Sequence, residues 1–141
     1  MATSEVQSAG GSANAVGSTD QQRAARSLEL ALAAARSAFE NRGTDILVLN
    51  TRDLTSLFDY FVIATGSSGR QLHAMADDID HKLQRELHDK RMGIEGYQQG
   101  GWVLLDYGTV VIHLFDAEHR DYYALEKLWG TAAQVPWNAS A

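Results

Sequence analysis

Two stretches of this chain place titratable or polar groups at spacings that chemistry uses. In "QLHAMADDIDH", His73, Asp77 and His81 recur at i, i+4 and i+8, so a helix stacks them on one face. Two imidazoles one turn apart can ligate Zn²⁺ or Ni²⁺. A catalytic zinc site normally draws its three ligands from more than one element, however, and a solvated helix face is where His and Asp belong by default. "HLFDAEHRDYY" at 113–123 holds two histidines and several acids. With no cysteine in the chain and no serine in a nucleophile-elbow setting, no triad assembles there. Asp116 fits a helix N-cap, and Glu118 and Arg120 fit a solvated helix face.

"ATGSSGR" at 64–70 joins a strand to a helix and could cradle a phosphate with backbone N–H groups. It lacks the Gly-Lys-Ser/Thr of a P-loop. Nucleotidyl transfer also uses a Gly-Ser after a strand, but needs paired carboxylates on a nearby strand to hold Mg²⁺. Asp77, Asp78 and Asp80 fall on a helix and point in several directions, while Asp59, Asp106 and Asp116 are single acids at strand ends. A strand-to-helix turn with a serine cap is the simpler reading.

The other candidate is a surface. "GGWVLLDYGTVVIHLFD" at 100–116 reads as a hairpin. With Tyr107-Gly108 as a two-residue turn, Asp106 pairs with Thr109, Leu104 with Val111 and Trp102 with His113. One face is then Val103, Leu105, Val110, Ile112 and Leu114, all aliphatic and suited to a core. The opposite face carries Trp102, Leu104, Asp106, Thr109, Val111, His113 and Phe115. That mixture of large aromatic, aliphatic, acid and imidazole is typical of an interface centre, unless a helix covers this face too.

The elements that must position these groups follow from periodicity. Residues 1–18 are small and polar without a pattern and suggest a flexible tail. A helix fits from about Gln21 to Asn41, with Leu28, Ala31, Leu32, Ala35 and Phe39 as its stripe and Gly43 as its C′ stop. "DILVLN" and "DYFVIATG" are strands, joined by a connector with room for one helical turn. Ser67 or Ser68 can cap a second helix from about Arg70 to His88, whose stripe is Leu72, Met75, Ala76, Ile79, Leu83 and Leu87. "RMGIEGYQQGG" has four glycines in eleven residues and reads as loop. After the hairpin, a helix over about 117–129 would bury Tyr122, Leu125, Leu128 and Trp129 and end at Gly130. Residues 131–141 look frayed, although Pro136 and Trp137 can tuck back.

The order α-β-β-α-β-β-α predicts an α/β fold, a small mixed β-sheet with three helices. The strand-helix-strand step should be a parallel crossover and the tight connections antiparallel. Three helical stripes could cover one sheet face, leaving the other only partly covered.

Bulk properties narrow the function. The chain has 141 residues and a net charge of −6, which suits one domain. It has no apolar run long enough to span a membrane and no secretory signal. Basic residues are scattered, which disfavours direct nucleic-acid binding. An acidic surface suits a basic partner, though it also serves solubility.

Two segments, "DYFVIATGSSGRQLHAMADDID" and "GIEGYQQGGWVLLDYGTVVIHLFDAEHRDYYALEKLW", resemble the ribosomal silencing factor (Iojap) family, from about residue 25 to 130. Asp59-Tyr60-Phe61, Thr65-Gly66, Arg70-Gln71, Glu95-Gly96, Trp102, Asp106, Gly108, His113, Tyr122-Tyr123, Leu125-Glu126 and Leu128-Trp129 fall in order and at family spacing. The resemblance implies a nucleotidyltransferase-like fold with no known catalysis and no cofactor, spanning residues 19–130 between two tails. It implies binding to the large ribosomal subunit through ribosomal protein fourteen on the intersubunit face. Small-subunit joining is then blocked and translation lowered when nutrients are scarce. Organelle members exist, but the N-terminal stretch does not look like a transit peptide, so a bacterial cytoplasmic member is expected. The contact role carries over onto Trp102, Leu104 and Asp106 first, and onto Glu95, Tyr107 and His113 behind them. Two rivals remain: an enzyme using "TGSS" and nearby acids, and a self-associating scaffold whose hairpin face pairs with a copy of itself as a homodimer.

Overall fold

Alanine-rich sequence makes the first helix, and small side chains decide how it packs. In the computed structural model, which describes residues 9–98 and 100–138, with side chains from Thr19 onward, α1 spans Ala9–Glu40. It begins well before Gln21, so the backbone of 9–18, expected as tail, is helical, while 1–8 lie outside the described residues. The buried stripe is Leu30, Ala31, Ala34, Ala35 and Ala38, rotated from the predicted one. Alanines let the helix lie close to the sheet, and Phe39 turns out to 55% exposure. The helix ends in a Schellman motif. Arg42 takes the left-handed conformation at φ 67°. Its N–H donates to Phe39 O at 2.9 Å, and Gly43 N–H donates to Ala38 O at 2.7 Å. Gly43 is thus one position beyond its predicted place, where a Cβ would lie 2.8 Å from the Ala38 carbonyl.

The strands are β1 (Thr44–Asn50), β2 (Tyr60–Gly66), β3 (Gly93–Glu95), β4 (Trp102–Asp106), β5 (Val110–Asp116) and β6 (Ala133–Gln134). They form one mixed sheet in the order β3-β4-β5-β2-β1-β6. β2 is central and buried throughout, as a β-branched run with both faces covered should be. Its parallel neighbour is β5, not the first hairpin strand, because the crossover passes through β3 and β4 before returning. Leu54 and Thr55 N–H groups both donate to Thr51 O, which makes the single helical turn expected between β1 and β2.

Ser68 caps α2 (Gly69–His81) by accepting from Gln71 N–H. The predicted stripe holds: Leu72, Met75, Ala76, Ile79 and Leu83 are buried and Leu87 packs against them. The α-helix stops at His81 and continues as a π-turn over Lys82–Glu86, with Leu83 buried. Burying each such large aliphatic contributes roughly 1.5–3 kcal/mol.

The glycine-rich stretch 91–101 is not all loop. Within it β3 pairs with β4, with Ile94 opposite Leu105 and Glu95 opposite Leu104. Ile94 packs on the core, and the glycine content masked that short strand. The C-terminal stretch, expected to fray, also packs against the sheet within the described residues. β6 pairs with β1, Val135 N–H donates to Val48 O at 2.8 Å and the Trp137 indole donates to Ile46 O at 3.1 Å. Trp137 also meets Phe39, with ring centroids 5.6 Å apart.

The three helices do not share one face. α1 and α2 cover the first face, over a core that includes Val62, Ile79, Leu105, Ile112 and Leu114. α3 (Ala117–Tyr123) ends at Ala124, whose φ of 47° breaks the predicted longer helix and leads into a 3₁₀ turn over Leu125–Trp129. This segment lies on the second face, where Leu125 and Trp129 pack on Leu49, Phe61, Ile63 and Phe115. The break turns Tyr122 and Leu128 outward, to 81% and 73% exposure, so neither is buried as predicted.

Candidate functional site: the second face of the sheet

The C-terminal segment covers the second face over β1, β2 and, at Phe115, one end of β5. Over β4 and β5 it leaves Trp102, Leu104, Asp106 and Val111 half-buried. Strand register builds this surface directly. Glu95, Leu104, His113 and Ile63 lie side by side across β3, β4, β5 and β2. Trp102 stands opposite Phe115, and Asp106 opposite Val111.

That pairing differs by two residues from the predicted hairpin, in which Trp102 faced His113. The turn is Gly108-Thr109, closed by a Tyr107 N–H bond to Val110 O at 2.9 Å. Gly108 has φ 82°, which a residue with a Cβ rarely adopts. Its N–H donates to Asp106 Oδ1 at 2.8 Å. A shift of two keeps every residue on its predicted face except Thr109, which joins the turn. Tyr107 drives the shift. Its side chain belongs to the helix-side core at 4% exposure, and its hydroxyl donates to Asp80 Oδ1 at 2.5 Å. Burial, reinforced by that bond, pushes its phenol above the ordinary tyrosine range. Tyr107 therefore lies on the wrong side of the sheet for the contact role expected of it.

Around Trp102 the surface is aromatic. Its ring stacks on Phe115 at 4.9 Å and meets Tyr123 at a tilt, with centroids 4.8 Å apart. Its indole N–H donates to His113 Nδ1 at 3.1 Å. His113 is only 8% exposed and stacks on Phe61 at 4.8 Å. Desolvation lowers its pKa to about 4, so it is neutral at pH 7 and cannot serve as a cationic contact. A cleft of about 340 Å³ opens beside Trp102 and Leu104, with Glu95 at its rim and His119 and Tyr123 as its far wall. Gly96, at φ 77°, closes it from β3, where a Cβ would collide with the Trp102 carbonyl. Aromatic walls with an exposed carboxylate at the rim suit a lysine or arginine side chain.

His119 and Tyr123 were missed as cleft residues, although the Tyr122-Tyr123 pair within the N-capped helix α3 was a visible signal. Arg120 was assigned to a solvated face but is buried. Its guanidinium donates to Asp45 O, to Thr65 Oγ1 at 2.8 Å and to Glu126 at 3.4 Å, and so pins α3 to the sheet.

Of the remaining candidate groups, His81 is exposed and the following have structural partners. His73 stacks on Tyr97 at 4.1 Å and bonds its carbonyl. The Tyr97 hydroxyl donates to Asp77 at 2.9 Å. Asp78 accepts from Ser37 and Asn41, and Asp80 from Tyr107 and Arg91. Asp59 accepts from Arg23 and Ser27. In "TGSS", Ser67 is bonded to Gln71, whose amide reaches back to Asn41 and Arg42 carbonyls. That loop fastens α2 to the end of α1.

Residues 24–140 match the family described as ribosomal silencing factor during starvation. The chain belongs to the ribosomal silencing factor family. A silencing factor from Chromobacterium violaceum is 43% identical over 105 residues, covering 70% of this chain and 85% of that one. A mouse relative named mitochondrial assembly of ribosomal large subunit protein 1 is 39% identical over 93 residues, covering 64% of this chain and 40% of that longer one. A crystal structure of a Chromobacterium violaceum protein superposes with a TM-score of 0.70 at 41% identity, covering 77% of this chain and 88% of its own. The solved relative thus shares the mixed α/β sheet described above.

Proposed function

We propose that this silencing factor binds the large ribosomal subunit on its intersubunit face, through ribosomal protein fourteen, and so keeps the small subunit from joining. Translation is then repressed by steric occlusion rather than by catalysis. The observation that carries this is the half-open second face, where Trp102, Leu104 and Asp106 stand beside an aromatic cleft rimmed by Glu95. Trp102 is the apolar anchor, and Asp106 and Glu95 meet basic side chains of the partner. Family membership supports the ribosomal assignment, and the mouse relative's name points to the large subunit. A net charge of −6 suits contact with a basic protein rather than with RNA directly. No helix among the described residues is long and apolar enough to cross a membrane; the proposed place of action is the cytoplasm, on the ribosome.

Subunit joining tests this. Purified small and large subunits are mixed with increasing protein, and light scattering follows formation of the joined ribosome. A dose-dependent loss of the scattering rise is expected. An unchanged joining curve at saturating protein would rule out occlusion.

The open face also admits a second reading, as a self-pairing surface in an isologous homodimer. Light scattering across a dilution series tests it: a mass that falls from dimer to monomer supports pairing, and a constant monomer mass removes it.

A further inference from the structure

Among the described residues buried on the aromatic second face, His113 is the one whose side-chain ring can accept a hydrogen bond, and it receives one from Trp102. An indole N–H is a donor with no acceptor capacity. The His113 nitrogen facing it, 3.1 Å away, must therefore offer a lone pair, which places the ring's proton on Nε2. The imidazole itself is fixed. It belongs to β5, paired with β4 on one side and β2 on the other, and it stacks on Phe61 at 4.8 Å with planes 27° apart. A phenylalanine would fill the same space and suffer no desolvation, so what the imidazole adds at this position is the acceptor. Trp102, by contrast, is only partly buried. Its contacts with Phe115 and Tyr123 hold the ring face, and neither fixes the direction of its N–H edge.

We infer that His113 is a positioning residue, whose Nδ1 holds the Trp102 indole in the orientation that meets the partner. This rests on the docking reading above. Its benefit is preorganisation: a large side chain locked before encounter loses less rotamer freedom on binding. His113 itself is too buried to touch the partner, and acts through Trp102.

The first readout needs no variant. In a long-range ¹H–¹⁵N spectrum of the wild-type protein, His113 should show an unprotonated Nδ1 and a protonated Nε2. A proton on Nδ1 would overturn the inference. Binding to purified large subunits then separates a positioning role from a structural one. His113→Phe should keep the fold, expose the Trp102 indole proton to faster solvent exchange and weaken binding about tenfold, the worth of one hydrogen bond. His113→Asn, whose side-chain oxygen replaces Nδ1, should recover part of that loss. In a Trp102→Phe background, which keeps an aromatic ring but has no indole N–H for Nδ1 to hold, His113→Phe should cost nothing further. Equal losses from His113→Phe with and without the Trp102 indole would overturn positioning. So would full binding by His113→Phe while Trp102→Ala fails to bind, an outcome that leaves the docking face intact. Full binding by Trp102→Ala would overturn the docking reading, and this inference with it.

Discussion

At the scale of single residues, His113 ties the site to stability. Its pKa in the folded chain is about 4 because burial penalises the charged ring, against about 6.5 when unfolded. Between those values the unfolded chain takes up a proton that the folded chain refuses. The stability contributed by the neutral buried ring is therefore complete above about pH 6.5, declines as pH falls through that window, and is gone below about pH 4. The integrated effect is on the order of 3 kcal/mol. Urea unfolding of the wild type should show a lower midpoint at pH 4.5 than at pH 7.5, and His113→Phe should remove most of that slope. If His113→Phe kept the slope, another group would be responsible. Trp102 was legible in the sequence at this scale because alternation alone put it opposite the aliphatic face. Tyr107 was misjudged because an aromatic next to glycine looks like a turn residue, while its ring and hydroxyl had a core site waiting at Asp80.

At the scale of elements, Arg120 and Trp137 fasten the two C-terminal pieces. Arg120→Met removes the buried cation from Glu126, whose Oε1 is already buried without a partner. Glu126 keeps 28% side-chain exposure, so losing its cation together with the bonds to Asp45 O and Thr65 Oγ1 costs about 1–3 kcal/mol, and denaturant melts should show that loss. Equal midpoints for mutant and wild type would mean that Arg120 does not hold α3 to the sheet. Trp137→Ala gives up the Phe39 contact and the bond to Ile46 O. It should cost about 1–3 kcal/mol, since Trp137 is only half-buried, while large-subunit binding stays at the wild-type level. A binding defect without lost stability would place the C-terminal strand in the interface instead. Periodicity exposed α2 and both hairpin strands because each shows one clean face, and β1 and β2 stood out as short runs rich in β-formers. It could not find β3 and β6, which are two or three residues long and owe their existence to a neighbouring strand edge. Nor could it place the end of α3, which depends on a left-handed alanine rather than on glycine or proline.

At the scale of the whole molecule, the layers explain why one face is available. Two helices are enough to bury the first face, and the C-terminal segment reaches only part of the second. The crossover through β3 and β4 puts Glu95 beside Leu104, a juxtaposition that spacing along the chain did not reveal. Net charge acts at this scale too. Steering of an acidic protein to a basic partner is screened over about 10 Å at 0.1 M salt. The association rate with large subunits should therefore fall several-fold between about 50 and 300 mM salt while dissociation changes little. Stopped-flow binding reads both rates, and a salt-independent association would argue against a basic partner. The most direct measurement is sedimentation of the protein with separated large and small ribosomal subunits, run with wild type and Trp102→Ala. Wild-type protein travelling with the large subunit alone, and folded Trp102→Ala left at the top of the gradient, is the predicted result. Wild-type protein left at the top, or Trp102→Ala travelling with the large subunit as well as the wild type does, would contradict the proposed docking face.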